Sequence, residues 1–461
     1  MIAPGAYAIR PYKVSTMQMP HNIYLHVPFC AQKCAYCAFY SVACAADWPA
    51  YADKMISEIE WWGKVIGQSE FPSCGGVPRS GGVVCEDIQH PERPPRLFCS
   101  LPLTKNPPLH RRGTCPTIFF GGGTPSLMPT DIFKKIMDAI RINFDIAPDA
   151  EITLESNPGT LDAARLREFA AAGINRLSIG VQSFDDAELK FLGRIHTATD
   201  AINLVRAAQH MGLRVSGDFI YALPNQSVAA VEKTCRGILD LGLTHASLYE
   251  LSIEPGTPLA ARGIKKIDND LSAEMFDTIG AILSDRLPRY EVSNYAASGH
   301  ECRHNQNIWA GDPYIGIGPS AAGRPFIDGV WYEQSNPANL KTWLIYPPTD
   351  ALCASTPPKG EVMVESGLLP LWGESASASV APREPVGGQL IAMSDRTRAV
   401  EKIITGLRTK RGVVVTPDVA AAIDLKFIEQ NPDLFIRNHM NLSLSETGLL
   451  ILDNILVHLI G

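Results

Sequence analysis

The strongest structural signal in this chain is the stretch Ile23-Tyr-Leu-His-Val-Pro-Phe-Cys-Ala-Gln-Lys-Cys-Ala-Tyr-Cys, residues 23–37. An apolar, strand-like run leads directly into Cys30, Cys34 and Cys37, which are spaced C-x3-C-x2-C. Cysteine thiolate is the soft ligand that iron–sulfur clusters take. Three thiolates on one short loop can hold three irons of a [4Fe–4S] cluster and leave the fourth iron open to an exogenous ligand. An iron with an open coordination position suits a catalytic role better than simple electron transfer.

A zinc loop or three free cysteines are the alternatives. Zinc sites usually pair one C-x2-C with a second pair further on, and this chain has no convincing second pair. Four more cysteines stand in or beside a stretch rich in Gly, Pro and Arg, at Cys74, Cys85, Cys99 and Cys115. Their wide gaps match no compact pair of metal ligands, so the cluster is the favoured interpretation.

Composition limits the class of protein. The chain has 461 residues, 46% of them apolar, which predicts a large domain plus a smaller one. A net charge of −7 argues against a nucleic-acid-binding face. Eleven unevenly spaced cysteines and no N-terminal signal pattern indicate a reducing cytoplasm rather than a disulfide framework. No run reaches the ~18 apolar residues that a membrane span needs.

Short β-branched or aromatic runs alternate with amphipathic segments from residue 23 onward, which is typical of a parallel α/β fold. The predicted strands are Ile23–Val27, Thr117–Phe120, Glu151–Glu155, Arg176–Gly180, Leu213–Ile220 and His245–Leu251. The predicted helices lie near Asp47–Val65, Thr130–Asn143, Leu161–Ala172, Asp185–Leu192, Thr199–Met211 and Val228–Leu239. Six units are too few for the usual eight-fold barrel, so we expect an open, TIM-like (βα)6 three-quarter barrel with its chemistry at the carboxyl ends of the strands.

The pattern also predicts where this core is interrupted. We expect an N-terminal segment 1–20, a core 21–260, a region 261–345 packing on the core, and a C-terminal unit 394–461. Residues 67–115 and 346–393 lack regular periodicity and are expected to be mobile surface insertions. In the C-terminal unit, helical patterns at Thr397–Thr409 and Glu446–Ile460 flank short strand-like runs, which resembles a small α+β winged-helix-like domain.

Polar side chains follow the predicted strands. Gly121-Gly-Gly-Thr-Pro-Ser comes straight after strand two, and its glycines let backbone N–H groups approach a ligand closely. At or just past strands three to five stand Glu155, Gln182, Arg194 and Asp218. Carboxylates can accept hydrogen bonds from ribose hydroxyls or an amino group, and Arg can pair with a carboxylate. For each residue alone, a surface salt bridge or helix cap is an equally good explanation.

The cysteine spacing and the glycine run resemble those of the radical S-adenosylmethionine (SAM) superfamily, in which SAM chelates the open iron. More specifically, five motifs resemble the oxygen-independent coproporphyrinogen III oxidase-like group: Tyr24-Leu-His-Val-Pro-Phe-Cys, Gly121-Gly-Gly-Thr-Pro-Ser, Gly180-Val-Gln-Ser-Phe, Tyr249-Glu-Leu-Ser-Ile-Glu-Pro-Gly-Thr and Glu301-Cys-Arg-His-Asn. True oxidases of this group (HemN) carry an additional cysteine just after the triad and a longer N-terminal segment. Here Ala38-Phe39 follows Cys37, so the chain is more similar to the heme chaperone branch, HemW.

This resemblance implies site residues and cofactors. Cys30, Cys34 and Cys37 would hold the [4Fe–4S] cluster. The SAM site would be lined by Tyr24, Tyr36, Gly122, Gly123, Thr124, Glu155, Gln182, Arg194 and Asp218. The branch has a His-Asn-x-x-Tyr-Trp motif associated with heme; this chain reads His304-Asn-Gln-Asn-Ile-Trp309. Imidazole is a common heme ligand, so His304 is the candidate, with His26, His196 and His245 as alternatives.

Three functions follow as expectations. The first is a cytoplasmic heme chaperone that passes heme to acceptor hemoproteins, respiratory ones among them, and associates with membranes through those partners. The alternative is an enzyme that uses SAM and an electron donor to convert coproporphyrinogen III to protoporphyrinogen IX by radical oxidative decarboxylation. The third is an iron–sulfur electron carrier, which the open iron disfavours. No nucleic-acid partner is expected, since the C-terminal unit carries as many acidic as basic side chains.

Overall fold

Six parallel strands and the helices between them build the core of the computed structural model, which describes residues 19–67, 114–345 and 389–460. The strands are β1 (Asn22–Val27), β2 (Cys115–Gly122), β3 (Ile146–Ser156), β4 (Arg176–Gln182), β5 (Arg214–Tyr221) and β6 (His245–Glu250). The helices are α1 (Trp48–Gly67), α2 (Thr130–Asn143), α3 (Ala163–Ala171), α4 (Asp186–Phe191), α5 (Ala198–His210) and α6 (Val228–Asp240). Neighbouring strands from β1 to β6 pair in parallel, as the sequence predicts.

The apolar faces of the helices cover the outside of this sheet. Helix α2, for example, buries Phe133, Ile136 and Ile140, which lie on one face because they are three or four residues apart. The Phe133 ring packs against Phe120 of β2 and Phe169 of α3. Every residue of β1 and of β4 is buried, as expected for strands covered on both faces.

The sheet is wider than predicted but remains open. Strand β7 (Asn294–Ala296) pairs antiparallel with β6, and β8 (Tyr314–Ile317) pairs in parallel with β1. The order is therefore β7-β6-β5-β4-β3-β2-β1-β8, and within the described residues β7 and β8 form its two ends. Helices α7 (Pro258–Ala261), α8 (Asn269–Leu283) and α9 (Arg303–Trp309) lie between β6 and β8 in sequence.

The predicted C-terminal boundaries of both insertions need correction. Cys115 is the first residue of β2 and is buried, so it belongs to the core and not to an insertion. The other three cysteines of the proposed quartet lie outside the described residues. At the second boundary, a small antiparallel sheet contains β9 (Ala322–Gly323), β10 (Phe326–Ile327), β11 (Val330–Ser335) and β12 (Gln389–Ala392). The described chain therefore resumes at residue 389 with a strand, after α10 (Leu340–Ile345) and before the predicted end of the insertion.

The C-terminal unit has its own small core and a winged-helix-like arrangement. Its elements are α11 (Asp395–Leu407), β13 (Val413–Val414), α12 (Pro417–Ala420), α13 (Leu425–Gln430), β14 (Phe435–Asn438), β15 (Asn441–Leu444), α14 (Glu446–Leu450) and α15 (Leu452–Ile460). The three strands form an antiparallel sheet in the order β13-β15-β14. The last predicted helix is in fact two, because the chain leaves helical geometry at Ile451. No helix in the described ranges is both long and apolar enough to cross a membrane.

Candidate functional site

The loops that follow β1 and β2 are in direct backbone contact at the carboxyl edge of the sheet. The N–H of Gly123 donates to the carbonyl of Val27, and the N–H of Thr124 donates to the carbonyl of Phe29. The N···O distance is 2.8 Å in both bonds. A Cβ on Gly123 would stand 2.8 Å from the carbonyl oxygens of Pro28 and Phe29. Only glycine allows this approach, so the glycine run first serves to seat the cysteine loop.

The cysteine loop is pinned at both ends. The N–H of Cys30 donates to Val42 over 3.0 Å, and the N–H of Ala35 donates to Leu192, just after α4, over 3.0 Å. Cys30, Cys34 and Cys37 are all free thiols and partly exposed. Burial raises the pKa of Cys30 and of Cys37, so metal binding must displace their protons.

The chemistry of this loop fits a cluster better than a single ion. In a [4Fe–4S] cluster each cysteine binds a different iron, so the three sulfurs do not have to converge on one point. Among the described residues, no three Cys, His, Asp or Glu side chains converge on one ion. After burial, the charge of Cys34 raises the pKa of Cys30, and the charges of Cys34 and Cys30 raise the pKa of Cys37, so the three cysteines lie close together.

Arg194 lies beside the cysteine loop, in the turn after α4. One guanidinium nitrogen donates to the sulfur of Cys34 over 3.2 Å, and the other donates to the carbonyl of Gly180 over 2.9 Å. The Nε atom of Arg194 is buried and has no hydrogen-bond partner among the described residues. An unsatisfied buried guanidinium N–H is suited to a carboxylate ligand, which SAM carries.

Two carboxyl groups, Glu155 of β3 and Asp218 of β5, form an interacting pair. Glu155 accepts a hydrogen bond from the N–H of Gly122 over 3.1 Å. Asp218 accepts hydrogen bonds from Ser178 over 2.9 Å and from Ser216 over 3.2 Å. Burial, followed by the neighbouring charge of Asp218, raises the pKa of Glu155 to about 8. Such a pair gains from a cationic ligand, because positive charge would relieve both the repulsion and the desolvation.

Asp218 differs from its predicted location. It lies inside β5, paired with Gly180 of β4 and Ser247 of β6, and not at the strand end. Its carboxyl therefore sits deeper in the barrel than the strand-end motifs. The prediction assumed that polar residues mark strand ends, but the interior face of an open barrel also admits them.

The remaining candidates lie in β1, on the cysteine loop and at the end of β4. Tyr24 is buried in β1, stacks on Phe119 and contacts His26 Nδ1 through its hydroxyl over 3.0 Å. Tyr36 lies near Cys34 and Arg194, and burial raises its pKa. Gln182 ends β4 at a register shift, with φ +66°. Such a bulge redirects a side chain, and bulges are common beside active sites.

Asn157 is a site residue that the sequence analysis did not single out. Its Oδ1 accepts from Arg194, and its Nδ2 donates to the hydroxyl of Thr124 over 2.8 Å. Thr124 in turn donates to the sulfur of Cys30 over 3.6 Å. The available signal was its place two residues after Glu155, on the loop that follows β3.

His304 lies on α9, beside Thr117 near the start of β2, and its side chain is fully buried. Its ring stacks on Phe119 with the centroids 5.0 Å apart, and its Nδ1 lies 2.7 Å from the hydroxyl of Thr117. Because Thr117 donates its own proton to Asn22 over 2.8 Å, Nδ1 of His304 must carry the hydrogen and donate it. The Nε2 lone pair is then left without a partner among the described residues. Burial lowers the pKa of this imidazole to about 4, so the ring is neutral.

The alternative histidines divide into two classes. His26 contacts Tyr24 and the carbonyl of Tyr40, and His245 contacts Ser216 and Tyr290, so both ring nitrogens of each are engaged. His196 binds the carbonyl of Val181 through Nε2, and its buried Nδ1 has no partner among the described residues. Only His304 and His196 of these four therefore present an unengaged ring nitrogen.

The start of α9 is held by a buried carboxylate. Glu151 of β3 accepts from the backbone N–H groups of Arg303 and His304 and forms a 3.1 Å ion pair with Arg214. Burial alone would raise the pKa of Glu151, but the positive charge of Arg176, these N–H groups and Arg214 together lower it. The carboxylate fixes where His304 stands in the barrel.

Comparisons with known proteins agree with this geometry. Residues 108–238 match the model of the radical SAM superfamily. The heme chaperone HemW of Escherichia coli (strain K12) is 34% identical over 315 residues, which cover 67% of this chain and 72% of that protein. The heme chaperone HemW of Synechocystis sp. (strain ATCC 27184 / PCC 6803 / Kazusa) is 33% identical over 340 residues, 71% of this chain and 73% of that protein.

One solved structure carries the same fold. Coproporphyrinogen III oxidase (HemN) from Escherichia coli, described as a radical SAM enzyme, superposes with a TM-score of 0.67 at 19% identity. The match covers 95% of this chain and 90% of that one. It confirms an open, TIM-like barrel with a smaller C-terminal domain. By its sequence relatives and its fold, this chain belongs to the HemW family of HemN-like radical SAM proteins.

Proposed function

We propose that this protein is a heme chaperone that binds a [4Fe–4S] cluster, SAM and heme, and transfers heme to an acceptor hemoprotein. Two features of this HemW-family barrel support the proposal: Arg194 contacts the cysteine loop at Cys34, and Glu155, which is coupled to Asp218, accepts a hydrogen bond from Gly122 of the glycine run. The cluster would be held by Cys30, Cys34 and Cys37.

SAM fits beside that cluster. The Nε–H of Arg194, which has no partner within the described part of the chain, suits the SAM carboxylate. Glu155 and Asp218 offer acceptors for its amino group or ribose hydroxyls, and their negative potential favours its positive sulfonium. The backbone of Gly122 and Gly123 approaches closely enough to contact such a ligand without side-chain interference. Bound SAM would supply the remaining ligands of the open iron.

For heme, His304 is the proposed ligand. Its Nδ1–H bond to Thr117 leaves the Nε2 lone pair as the donor atom that an iron needs. The ring is fully buried, so binding of the heme iron by His304 requires α9 or the elements packed against it to move. In this chain Ile308 stands where the family motif has Tyr, which removes a hydrogen-bond donor from the same helix.

The alternative function is oxidative decarboxylation of coproporphyrinogen III. It would require the same cluster and SAM together with an electron donor. Ala38-Phe39, in place of the additional cysteine of true oxidases, favours the chaperone. The two functions differ in what leaves the protein: unchanged heme in one case and protoporphyrinogen IX in the other.

Heme transfer tests the proposal. Cluster-loaded protein is saturated with heme, freed from excess by gel filtration, and mixed with an immobilised apo-hemoprotein of the respiratory class. We expect the heme absorbance to move to the acceptor faster than from a serum albumin control with the same heme load. Protein that fails to retain heme through gel filtration, or that releases it no faster than albumin, would contradict the chaperone function.

A further inference from the structure

Two of the three cluster cysteines receive a side-chain hydrogen bond from an element outside the cysteine loop. Cys34 receives one from the Arg194 guanidinium over 3.2 Å, and Cys30 receives one from the Thr124 hydroxyl over 3.6 Å. These donors come from two different segments: Arg194 from the turn after α4, and Thr124 from the loop after β2. In sequence they are independent of each other, and in the structure a single residue joins them.

That residue is Asn157, and its amide orientation is fixed by chemistry. Arg194 has only donors, so the amide atom that faces it must be the oxygen Oδ1. The nitrogen Nδ2 then faces Thr124 and donates to its Oγ1 over 2.8 Å. Because this lone pair of Thr124 is occupied, the hydroxyl proton is turned toward the sulfur of Cys30.

We propose that Asn157 is a positioning residue that aims Arg194 and Thr124 at the sulfurs of Cys34 and Cys30 and thereby raises the reduction potential of the bound cluster. Hydrogen bonds to cluster sulfurs stabilise the more negative, reduced state, and they are among the main determinants of cluster potential. Asn157 does not contact the sulfurs itself. The inference rests on the proposed cluster at Cys30, Cys34 and Cys37.

The test is a redox titration of the reconstituted full-length protein, followed by the EPR signal of the reduced cluster. Asn157→Ala removes the link to both donors. At a fixed potential we expect the ratio of reduced to oxidised cluster to fall ~10-fold, which corresponds to about 59 mV for one electron. Iron and sulfide contents should stay at the wild-type level, because the three thiolate ligands remain.

Two further variants distinguish the loss of an oriented hydrogen bond to a cluster sulfur from a structural change in the turn that carries Asn157. Thr124→Val removes one aimed donor and should shift the potential in the same direction by less; the double variant should shift less than the sum of the two. Thr160→Ala disturbs the same turn, since its hydroxyl donates to the Asn157 carbonyl over 2.7 Å, but leaves the amide in place. We expect this control to keep the wild-type potential.

The outcomes also distinguish this inference from the cluster assignment. If Asn157→Ala and Thr124→Val load a full cluster at the wild-type potential, the positioning role is wrong while the cluster stands. The role is also wrong if Thr160→Ala shifts the potential as much as Asn157→Ala. If the Cys30/Cys34/Cys37 triple alanine variant still binds a full cluster, the assignment beneath both proposals is wrong.

Discussion

Arg194 donates a hydrogen bond to the sulfur of Cys34, although 160 positions separate the two residues in sequence. A backbone bond between Ala35 and Leu192 runs beside it. These two contacts join the cysteine loop to the turn that carries a proposed SAM ligand. We therefore expect cluster loading and SAM binding to depend on each other.

The cysteine loop should bind the cluster without help from other cysteines. Anaerobic reconstitution should give about four irons and four sulfides per chain, as a [4Fe–4S] centre requires. Replacing Cys30, Cys34 and Cys37 together by Ala should abolish this, and iron and sulfide analysis measures it. The control is Cys44→Ala, an exposed thiol near the loop, which should load normally.

SAM affinity should rise with pH because of Glu155. The pKa of this carboxyl is about 8 in the free protein, and a bound cation lowers it, so binding below pH 8 releases a proton. Affinity should increase by at most ~10-fold per pH unit as the pH approaches 8 and then level off. The change of the reduced cluster's EPR signal on SAM addition measures the affinity.

Variants of Glu155 and Asp218 test whether the pH dependence of SAM affinity comes from this carboxyl pair. Glu155→Gln should bind SAM more weakly above pH 8 and lose the pH dependence, and Asp218→Asn should also weaken binding. The control is Glu232→Gln, an exposed carboxylate on α6, which should behave as wild type. A wild-type affinity that does not change between pH 6.5 and pH 8 would rule out this role for Glu155.

Glu151 should be a strong stabiliser at neutral pH. Glu151→Gln leaves Arg176 and Arg214 without their buried partner, which should cost about 3 kcal/mol of unfolding free energy. The folded pKa of Glu151 is lowered, so its contribution is present above its ordinary pKa and is lost as the pH falls through the lowered value. The difference between variant and wild type in urea unfolding should therefore shrink in acid.

The nearby Asp149 provides the control. It pairs with Arg303 over 3.3 Å on the surface, where such pairs contribute less than about 1 kcal/mol. Asp149→Asn should leave the urea midpoint nearly unchanged. Equal effects of the two substitutions would show that Glu151 does not hold α9 as described.

Much of the barrel could be predicted because its strands are long apolar runs and its helices are amphipathic. Strands β7 and β8 were missed for physical reasons. The first has three residues and the second has four with a central glycine, so neither has a clear local period. β8 pairs with β1, which is nearly 300 residues earlier in the chain. Such a pairing depends on chain closure in three dimensions and not on local pattern.

The site was predictable in part for the same reason. Residues at or just past strand ends, such as Glu155 and Thr124, follow from the order of the fold. The role of Asn157 depends on the hydrogen bond that Arg194 donates to it. The burial of His304 depends on its contacts with β2 and β3. Neither property is encoded near the residue itself. A motif can therefore identify His304 without indicating that its ring is buried.

His304 should affect heme binding through its imidazole. His304→Ala should weaken heme binding and remove the absorbance features of an imidazole-bound iron, while cluster content stays unchanged. His196→Ala is the informative comparison, because His196 also has a ring nitrogen without a partner in the described ranges but lines the same cavity as Arg194. The exposed His458 on α15 serves as the control, as His458→Ala.

If His304 is structural instead, the result will differ. Its loss would lower thermal stability, since the bond to Thr117 and the stacking on Phe119 are both buried, and heme affinity and spectrum would stay as in the wild type. A spectrum unchanged in His304→Ala but altered in His196→Ala would assign the iron to His196.

The most direct test of the chaperone function places both candidate activities in one anaerobic experiment. Protein with an intact, reduced cluster and saturating SAM receives heme in one sample and coproporphyrinogen III in another. We predict that heme binds stoichiometrically, and that coproporphyrinogen III is recovered unchanged with no protoporphyrinogen IX and no SAM consumed. Sustained decarboxylation coupled to SAM consumption would contradict the account and make this protein an enzyme of heme synthesis.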